Sequence, residues 1–315
     1  MMSRKVSILT SIALFALPVS AQDSSGFVTN AAVFASGLAQ ADDAGAYAKD
    51  YAVGEVIDLT NEQIDVLENA AKSNSNWKYL DLNVGFDDSQ LMIEGLSVYG
   101  LYENPNTFVF NQTSLVNYAG RTTLNFGLGL RRINDDDTNI IGGNVFYDYE
   151  LGSEHRRLGA GLEYFTYDLQ FRANTYRALT GELEYNDVYE RAMSGQDVKI
   201  TYRLPFIENA DLSYLYSRWY VPGGTSETQN SLSISAQLAP SLTGSYSAAR
   251  SEDGGITHNV SLRYSIALGG PKETTLPKLD SEISKSVRHM MYIPVQRENR
   301  IRKTSPSFSV TVTGY

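Results

Sequence analysis

Between about residues 91 and 268, apolar and polar residues alternate in short segments, each closed by a polar or Gly/Pro break. In 122–132, TTLNFGLGLRR, Leu124, Phe126, Leu128 and Leu130 share one parity, and Asn125, Gly127, Gly129 and Arg131 share the other. Successive side chains of a strand point to opposite faces. One face can therefore touch lipid while the other lines a wet lumen. In 196–204, Val198, Ile200, Tyr202 and Leu204 alternate with Asp197, Lys199, Thr201 and Arg203. In 258–268, Val260, Leu262, Tyr264, Ile266 and Leu268 oppose Ser261, Arg263 and Ser265. Charge opposite an apolar stripe also suits the solvated face of a soluble sheet, so the count and order of segments must decide.

From Trp77 onward the pattern predicts about twelve strands: 77–85, 91–102, 107–117, 121–132, 139–149, 157–165, 168–179, 196–204, 210–221, 230–238, 242–249 and 258–268. An even number returns both ends of a barrel to one side. The links after even strands read as short turns: 103–106, 134–138, 166–167, 205–209 and 239–241. Those after odd strands read on the whole as longer loops, notably 180–195, 222–229 and 250–257. Short periplasmic turns and long outer loops are the asymmetry of outer-membrane barrels. The expected fold class is all-β, a transmembrane antiparallel β-barrel.

The ends of the chain read differently. Arg4 and Lys5, an apolar run over 6–17 and Val19-Ser20-Ala21 form a secretory signal over 1–21, which sends the chain out of the cytoplasm. Residues 22–76 are Ala-rich and acidic and read as a periplasmic leader packed loosely under the barrel or partly disordered, in which Thr60 offers a cap for a short helix. After 268, Gly269-Gly270-Pro271 stops the pattern, and 269–315 is too polar for lipid. At ~3.3 Å per residue this tail is long enough to thread a bilayer core of ~30 Å. Its last residues, SFSVTVTGY, read as one more strand.

Composition narrows the chemistry. No cysteine is present, which removes disulfides and Cys-based metal sites, and the formal charge of −10 disfavours nucleic acid. Mean hydropathy is −0.26, compatible with a barrel because only alternate residues need be apolar. The 21 tyrosines suit interfacial girdles. His155, His258 and His289 are scattered, and no cofactor or metal is expected. An outer-rim enzyme would rest on His155 beside Glu154. Asp135-Asp136-Asp137 lacks the ligand alternation of a Ca²⁺ loop and reads as a solvated turn. Gly127-Leu128-Gly129 and Gly159-Ala160-Gly161 lack the third glycine and following helix of a phosphate cradle; inside a barrel they relieve crowding. Glu163, Arg172, Asp197, Lys199, Arg203 and Arg263 are expected to face the lumen as a mixed-sign polar wall.

Five segments carry a family resemblance: TLNFGLGLRR (123–132), IIGGNVFYDYEL (140–151), RRLGAGLEYF (156–165), DVYERAMSGQDVKITYRLP (187–205) and PVQRENRI (294–301). In order and spacing they resemble the inverse autotransporter β-domain, the translocator of intimin and invasin. The resemblance implies a twelve-stranded outer-membrane barrel whose C-terminal linker runs up the lumen and exports a passenger. It implies outer-membrane lipid, the barrel-assembly machinery and periplasmic chaperones as partners. Structural roles follow for Arg157, Glu163, Tyr189, Glu190, Arg191 and Asp197, and contacts to the lumen wall for Arg297, Glu298 and Asn299. The residues after Ile301 are too few for an immunoglobulin-like domain of ~100 residues. The expectation is therefore a vestigial or separately encoded passenger. The competing readings are a small channel plugged by its own tail, and outer loops that bind a host or phage surface.

Overall fold

The computed structural model describes residues 75–87, 90–205, 207, 209–224, 226–239, 241–252, 254–267 and 286–304. The signal at 1–21, the helix expected from Thr60 and the strand-like end of the tail lie outside these residues. Among the described residues there are fourteen strands: β1 (Trp77–Asp87), β2 (Gln90–Asn104), β3 (Thr107–Tyr118), β4 (Arg121–Ile133), β5 (Ile140–Glu150), β6 (Arg156–Phe165), β7 (Leu169–Ala178), β8 (Glu182–Tyr185), β9 (Val188–Arg191), β10 (Ser194–Arg203), β11 (Ala210–Tyr220), β12 (Ser226–Ala239), β13 (Leu242–Ser251) and β14 (Ile256–Ala267). Twelve of them close an antiparallel barrel, with β7 followed directly by β10 and with β1 pairing β14 from Tyr79↔Ala267 to Asp87↔Asn259. Closure leaves no open edge in the sheet, as a spanning sheet requires where no water can satisfy backbone groups.

Alternation is cleanest on β6, whose residues are exposed and buried in strict turn. Leu128, Ile200, Tyr202 and Leu262 are exposed on the outer face. Leu124, Phe126, Val198 and Tyr264 share that face and are half-buried, while the side chain of Ile266 is outside the described part.

The connections differ from expectation. At one end stand residues 105–106, 134–139, 166–168, 204–205, 207, 209 and 241; at the other stand 119–120, 151–155, 179–193, 221–224, 252 and 254–255. Half of each loop expected at 222–229 and 250–257 is strand, because Ser226, Glu227, Thr228 and Gln229 stay in register with β11 and Arg250 pairs with Ile256. Ladder hydrogen bonds at a rim need no apolar side chain, so hydropathy stops short of where pairing stops. The asymmetry thus reduces to one excursion, 179–193, and that segment is itself folded: β8 and β9 form a hairpin through Asn186 and Asp187, both at positive φ, the conformation a two-residue hairpin turn demands.

The interior also differs. The lumen at the short-turn end is apolar, with Val98, Phe108, Phe110, Ile133, Ile140, Phe146 and Phe165 of the wall packed on Val287, Met290, Met291, Tyr292 and Val295 of the tail. Glycines make room for these rings. A Cβ at Gly127 would stand 2.2 Å from the Phe146 ring, and one at Gly129 2.2 Å from Phe110.

Candidate functional site

The site is the lumen itself, occupied by residues 286–304. The segment begins at the short-turn end with a 3₁₀ turn, Arg288–Met291. There the Arg288 guanidinium reaches Asp137 at 2.5 and 2.8 Å and the carbonyl of Pro105 at 2.6 Å, while Val287 N donates to the Asp137 carbonyl. Asp137, expected in a solvated turn, instead anchors the tail. Tyr292 donates to Glu103 at the same rim. Two tyrosines, Tyr292 and Tyr176, thus serve the interior rather than an aromatic girdle.

Above the apolar cork the wall holds the tail by its backbone. Arg131 donates to the carbonyls of Met291 (2.9 Å) and Ile293 (2.5 Å). The Gln112 amide takes both backbone groups of Val295, accepting from N at 2.7 Å and donating to O at 3.1 Å, which reproduces a strand pairing with one side chain. Arg157 donates to the Glu298 carbonyl at 2.6 Å, Tyr176 Oη accepts from Glu298 N at 2.8 Å, and Asn125 donates to the Asn299 carbonyl at 2.9 Å.

The tail's own side chains lock the register. Arg297 reaches Asp148 in a bidentate pair, 2.7 and 2.6 Å, and stacks 4.3 Å from the Phe146 ring centroid. Asp148 also receives Arg157 Nε at 2.7 Å, and all three side chains are buried. A Cβ at Gly159 would stand 3.0 Å from Arg297 Nη2. Glu298 turns along the tail to Arg300 (3.0 Å) and Arg302 (3.3 Å), and Asn299 donates to Glu94. Arg300 reaches Asp87 at 2.6 Å.

At the other end the segment becomes a strand. Lys303 forms an antiparallel bridge with Ala192, Met193 N donates to the Arg302 carbonyl, and Thr304 N donates to the Arg191 carbonyl. Lys303 Nζ lies 2.6 and 2.8 Å from the Glu150 carboxylate. Arg121 bridges Glu150 (2.9 Å) to Glu190. Burial alone would raise the Glu190 carboxyl; His155, Lys303 and Arg121 outweigh it and hold it below its ordinary range. His155, expected at the outer rim, is fully buried, with Nδ1 2.9 Å from Thr180 Oγ1 and Nε2 3.3 Å from Glu190. The hairpin packs on the 151–155 turn, with Glu190 on His155 and the Tyr185 ring beside Gly152.

The six expected lumen residues fall into three groups. Lys199 touches the tail, donating to Gln296 Oε1 at 2.9 Å. Glu163, Asp197 and Arg172 stand behind the contacts. Glu163 pairs with Arg131 at 2.9 and 3.1 Å, and Asp197 accepts from Tyr176 (2.6 Å) and Asn174 (2.7 Å). Arg172 lies 3.6 Å from Glu163 and over the Phe165 ring. Arg203 stacks on Tyr167 and Arg263 lies 3.4 Å from Asp81; neither meets the tail among the described residues. Gln112, Arg131, Asp148 and Glu150 carry more of the grip. Their inward parity is readable in sequence, but their partners 150 to 180 positions away are not.

The tail makes most of its contacts with β1 to β7 and β10. Two cavities of about 520 and 270 Å³ remain between the tail and the wall; the larger reaches Ser231, Ser247 and Thr257 of β12 to β14, and the smaller reaches Asn259 and Arg263 of β14. Among the described residues no helix is long and apolar enough to cross a membrane, and no cluster of three His, Asp or Glu could hold a metal ion.

A closed barrel with its own following segment hydrogen-bonded through the lumen is the geometry the sequence motifs implied, and the family comparison agrees. Residues 29–299 match the family described as inverse autotransporter, beta-domain. The chain belongs to that family. This inverse autotransporter barrel is similar to the putative attaching and effacing protein homolog of Escherichia coli (strain K12), 29% identical over 144 residues, 45% of this chain and 47% of the relative. It is similar to invasin of Yersinia enterocolitica, 32% identical over 129 residues, 39% of this chain and 15% of invasin. It is also similar to intimin of Escherichia coli O127:H6, 28% identical over 180 residues, 56% of this chain and 18% of intimin. The match thus spans less than half the length of each of these relatives. Among solved structures, one described as "Unveiling the Mechanism Behind the in-meso Crystallization of Membrane Proteins" shares the fold, with a TM-score of 0.64 at 18% identity, over 72% of this chain and 98% of that one. The inverse autotransporter barrel is a protein of the bacterial outer membrane.

Proposed function

We propose that this barrel is a translocator of the type V secretion kind. It holds its own C-terminal segment extended through the lumen and presents what lies beyond residue 304 at the cell surface. The observation that carries this is the polarity of the tail. It is anchored at the short-turn end by Arg288 on Asp137 and leaves at the hairpin end as a strand against Ala192. In the middle of the lumen Arg131, Gln112, Arg157 and Asn125 hold the tail by its backbone groups. A wall that grips backbone accepts many sequences, as a conduit for an extended chain should. Arg297 on Asp148 supplies the register at which that chain comes to rest. Outer-membrane lipid surrounds the barrel in this reading, with the barrel-assembly machinery and periplasmic chaperones as its insertion partners. The cargo is what the segment carries or a separately encoded passenger.

The test is an epitope joined after Tyr315. Protease added to intact cells removes it if the tail reaches the surface, and an epitope cut only after outer-membrane permeabilisation overturns the proposal. A second reading is a small channel plugged by its tail, favoured by the two cavities left between the tail and the wall. It expects planar-bilayer conductance to rise when the chain ends at residue 285, together with a protected epitope.

A further inference from the structure

The outer face of the barrel is apolar along its middle, but at the hairpin end it carries a row of arginines. Arg156 opens β6, and Arg177, Arg218 and Arg250 each stand within three residues of the same end of β7, β11 and β13. All four are exposed. Strand parity turns them outward, with Leu158 and Leu162 on β6, Tyr214 on β11 and Tyr246 on β13, each of which is exposed. Register links them into one arc. Arg177 sits opposite Leu158, so Arg156 is its diagonal neighbour. Arg218 sits opposite Thr228 and Arg250 opposite Asn230, one outward position further along β12. Among the described residues, Arg177, Arg218 and Arg250 have no carboxylate partner, and Arg156 lies against the Tyr149 ring at 5.8 Å. The other rim differs: Arg132 is the outward arginine there among the described residues.

Four outward guanidinium groups at one membrane boundary make a local basic patch on a chain that is acidic as a whole, at −10. Arginine pairs with phosphate through two parallel N–H···O bonds, and basic residues at a membrane surface draw anionic headgroups. We propose that the arc Arg156, Arg177, Arg218 and Arg250 is a binding surface for the phosphate groups of an anionic glycolipid of the outer leaflet. Its two diagonal pairs, Arg156 with Arg177 and Arg218 with Arg250, each take a phosphate. Thr228 and Asn230 between the second pair offer hydrogen bonds to the sugar. The surface includes β7, the strand that enters the hairpin, so bound lipid would brace the end from which the tail departs. That this end faces outward rests on the translocator reading.

The test uses the full chain purified in neutral detergent and titrated with a bis-phosphorylated, acylated glucosamine disaccharide, with bound lipid counted by native mass spectrometry. The quadruple variant R156Q/R177Q/R218Q/R250Q is expected to lose at least tenfold in affinity. The same glycolipid stripped of its phosphates should bind the unaltered chain no better than the variant does, and R132Q should leave binding unchanged. Equal binding by the quadruple variant, or equal binding of the dephosphorylated lipid, overturns the proposal. Heat-modifiable migration on gels shows that each variant is a folded barrel. Because binding in detergent needs no orientation, a protected Tyr315 epitope in cells would sink the translocator reading while leaving this surface intact.

Discussion

Asp148 holds two guanidinium groups at once, one from the wall and one from the tail, with no exposure to solvent. Removing one partner of a buried pair is costly, about 3–5 kcal/mol, because the charge left behind is uncompensated. Asp148→Asn leaves Arg157 and Arg297 both short of a counter-charge, so the tail should come off the wall. Limited proteolysis of the purified barrel is expected to cut within 286–304 in this variant and not in the parent. Arg297→Gln should be milder on the barrel, since Asp148 keeps Arg157; a thermal midpoint lowered equally by both changes would contradict this. The glycines make a second prediction at this scale. Gly127→Ala places a methyl 2.2 Å from the Phe146 ring, and overpacking of this kind costs about 1–3 kcal/mol. Gly127→Ala combined with Phe146→Leu is expected to regain most of the lost stability in heat-modifiability assays, because the ring is the obstacle. Alternation showed that Gly127 faces inward; it did not show that an aromatic ring fills the space.

At the scale of elements, the β8–β9 hairpin turns the end of the tail into a strand. Residues 191–193 pair with 302–304, and neighbouring residues across an antiparallel bridge have Cα atoms about 4.5–5.5 Å apart, within the range a disulfide spans. The chain has no cysteine of its own, so Ala192→Cys with Lys303→Cys is a clean reporter. The pair should oxidise nearly completely in the assembled barrel, and failure to cross-link in intact cells would mean the tail does not rest at this register there. The hairpin–tail junction is also expected to respond to acid. Glu190 lies outside the spanning strands, and its carboxyl is held below its ordinary value of 4.5. A depressed carboxyl contributes stability that is complete above the unfolded value and is lost as pH falls through the folded one. Proteolytic protection of residues 188–193 should therefore be level from neutral pH down to about 5 and decline only below 4.5. Loss of protection already well above pH 5 would contradict this. The hairpin was legible only in part: Asn186-Asp187 is a turn signal, but flanking runs of four residues are too short for periodicity to register.

The whole molecule is a barrel filled unequally. The apolar end of the lumen is packed tightly on the tail, while towards the hairpin end two cavities remain between the wall and the charged residues Glu298, Arg300 and Arg302 of the tail. A chain ending at residue 285 is expected to conduct ions in planar bilayers several-fold better than the full chain, because the cork of Val287, Met290, Met291 and Tyr292 leaves with the tail. It should also melt earlier, since Phe108, Phe110 and Phe165 lose the surfaces they bury. Unchanged conductance and stability would show that the segment contributes little to filling the pore.

Strand number, antiparallel order and the parity of lipid and lumen faces were set by sequence alone, because each strand must present an apolar stripe to lipid whatever lies inside. Parity also turned Glu163, Asp197 and Lys199 inward before any coordinates. What fills the barrel was decided only by the tertiary structure. The apolar cork, the Asp148 clamp, the Asp137 anchor and the burial of His155 all join residues far apart in sequence, and local periodicity carries no information about such pairs. A polar tail long enough to thread a pore could as well have hung free. Gln112 and Arg131 hold it in place, and their hydrogen bonds exist only once the barrel has closed around it.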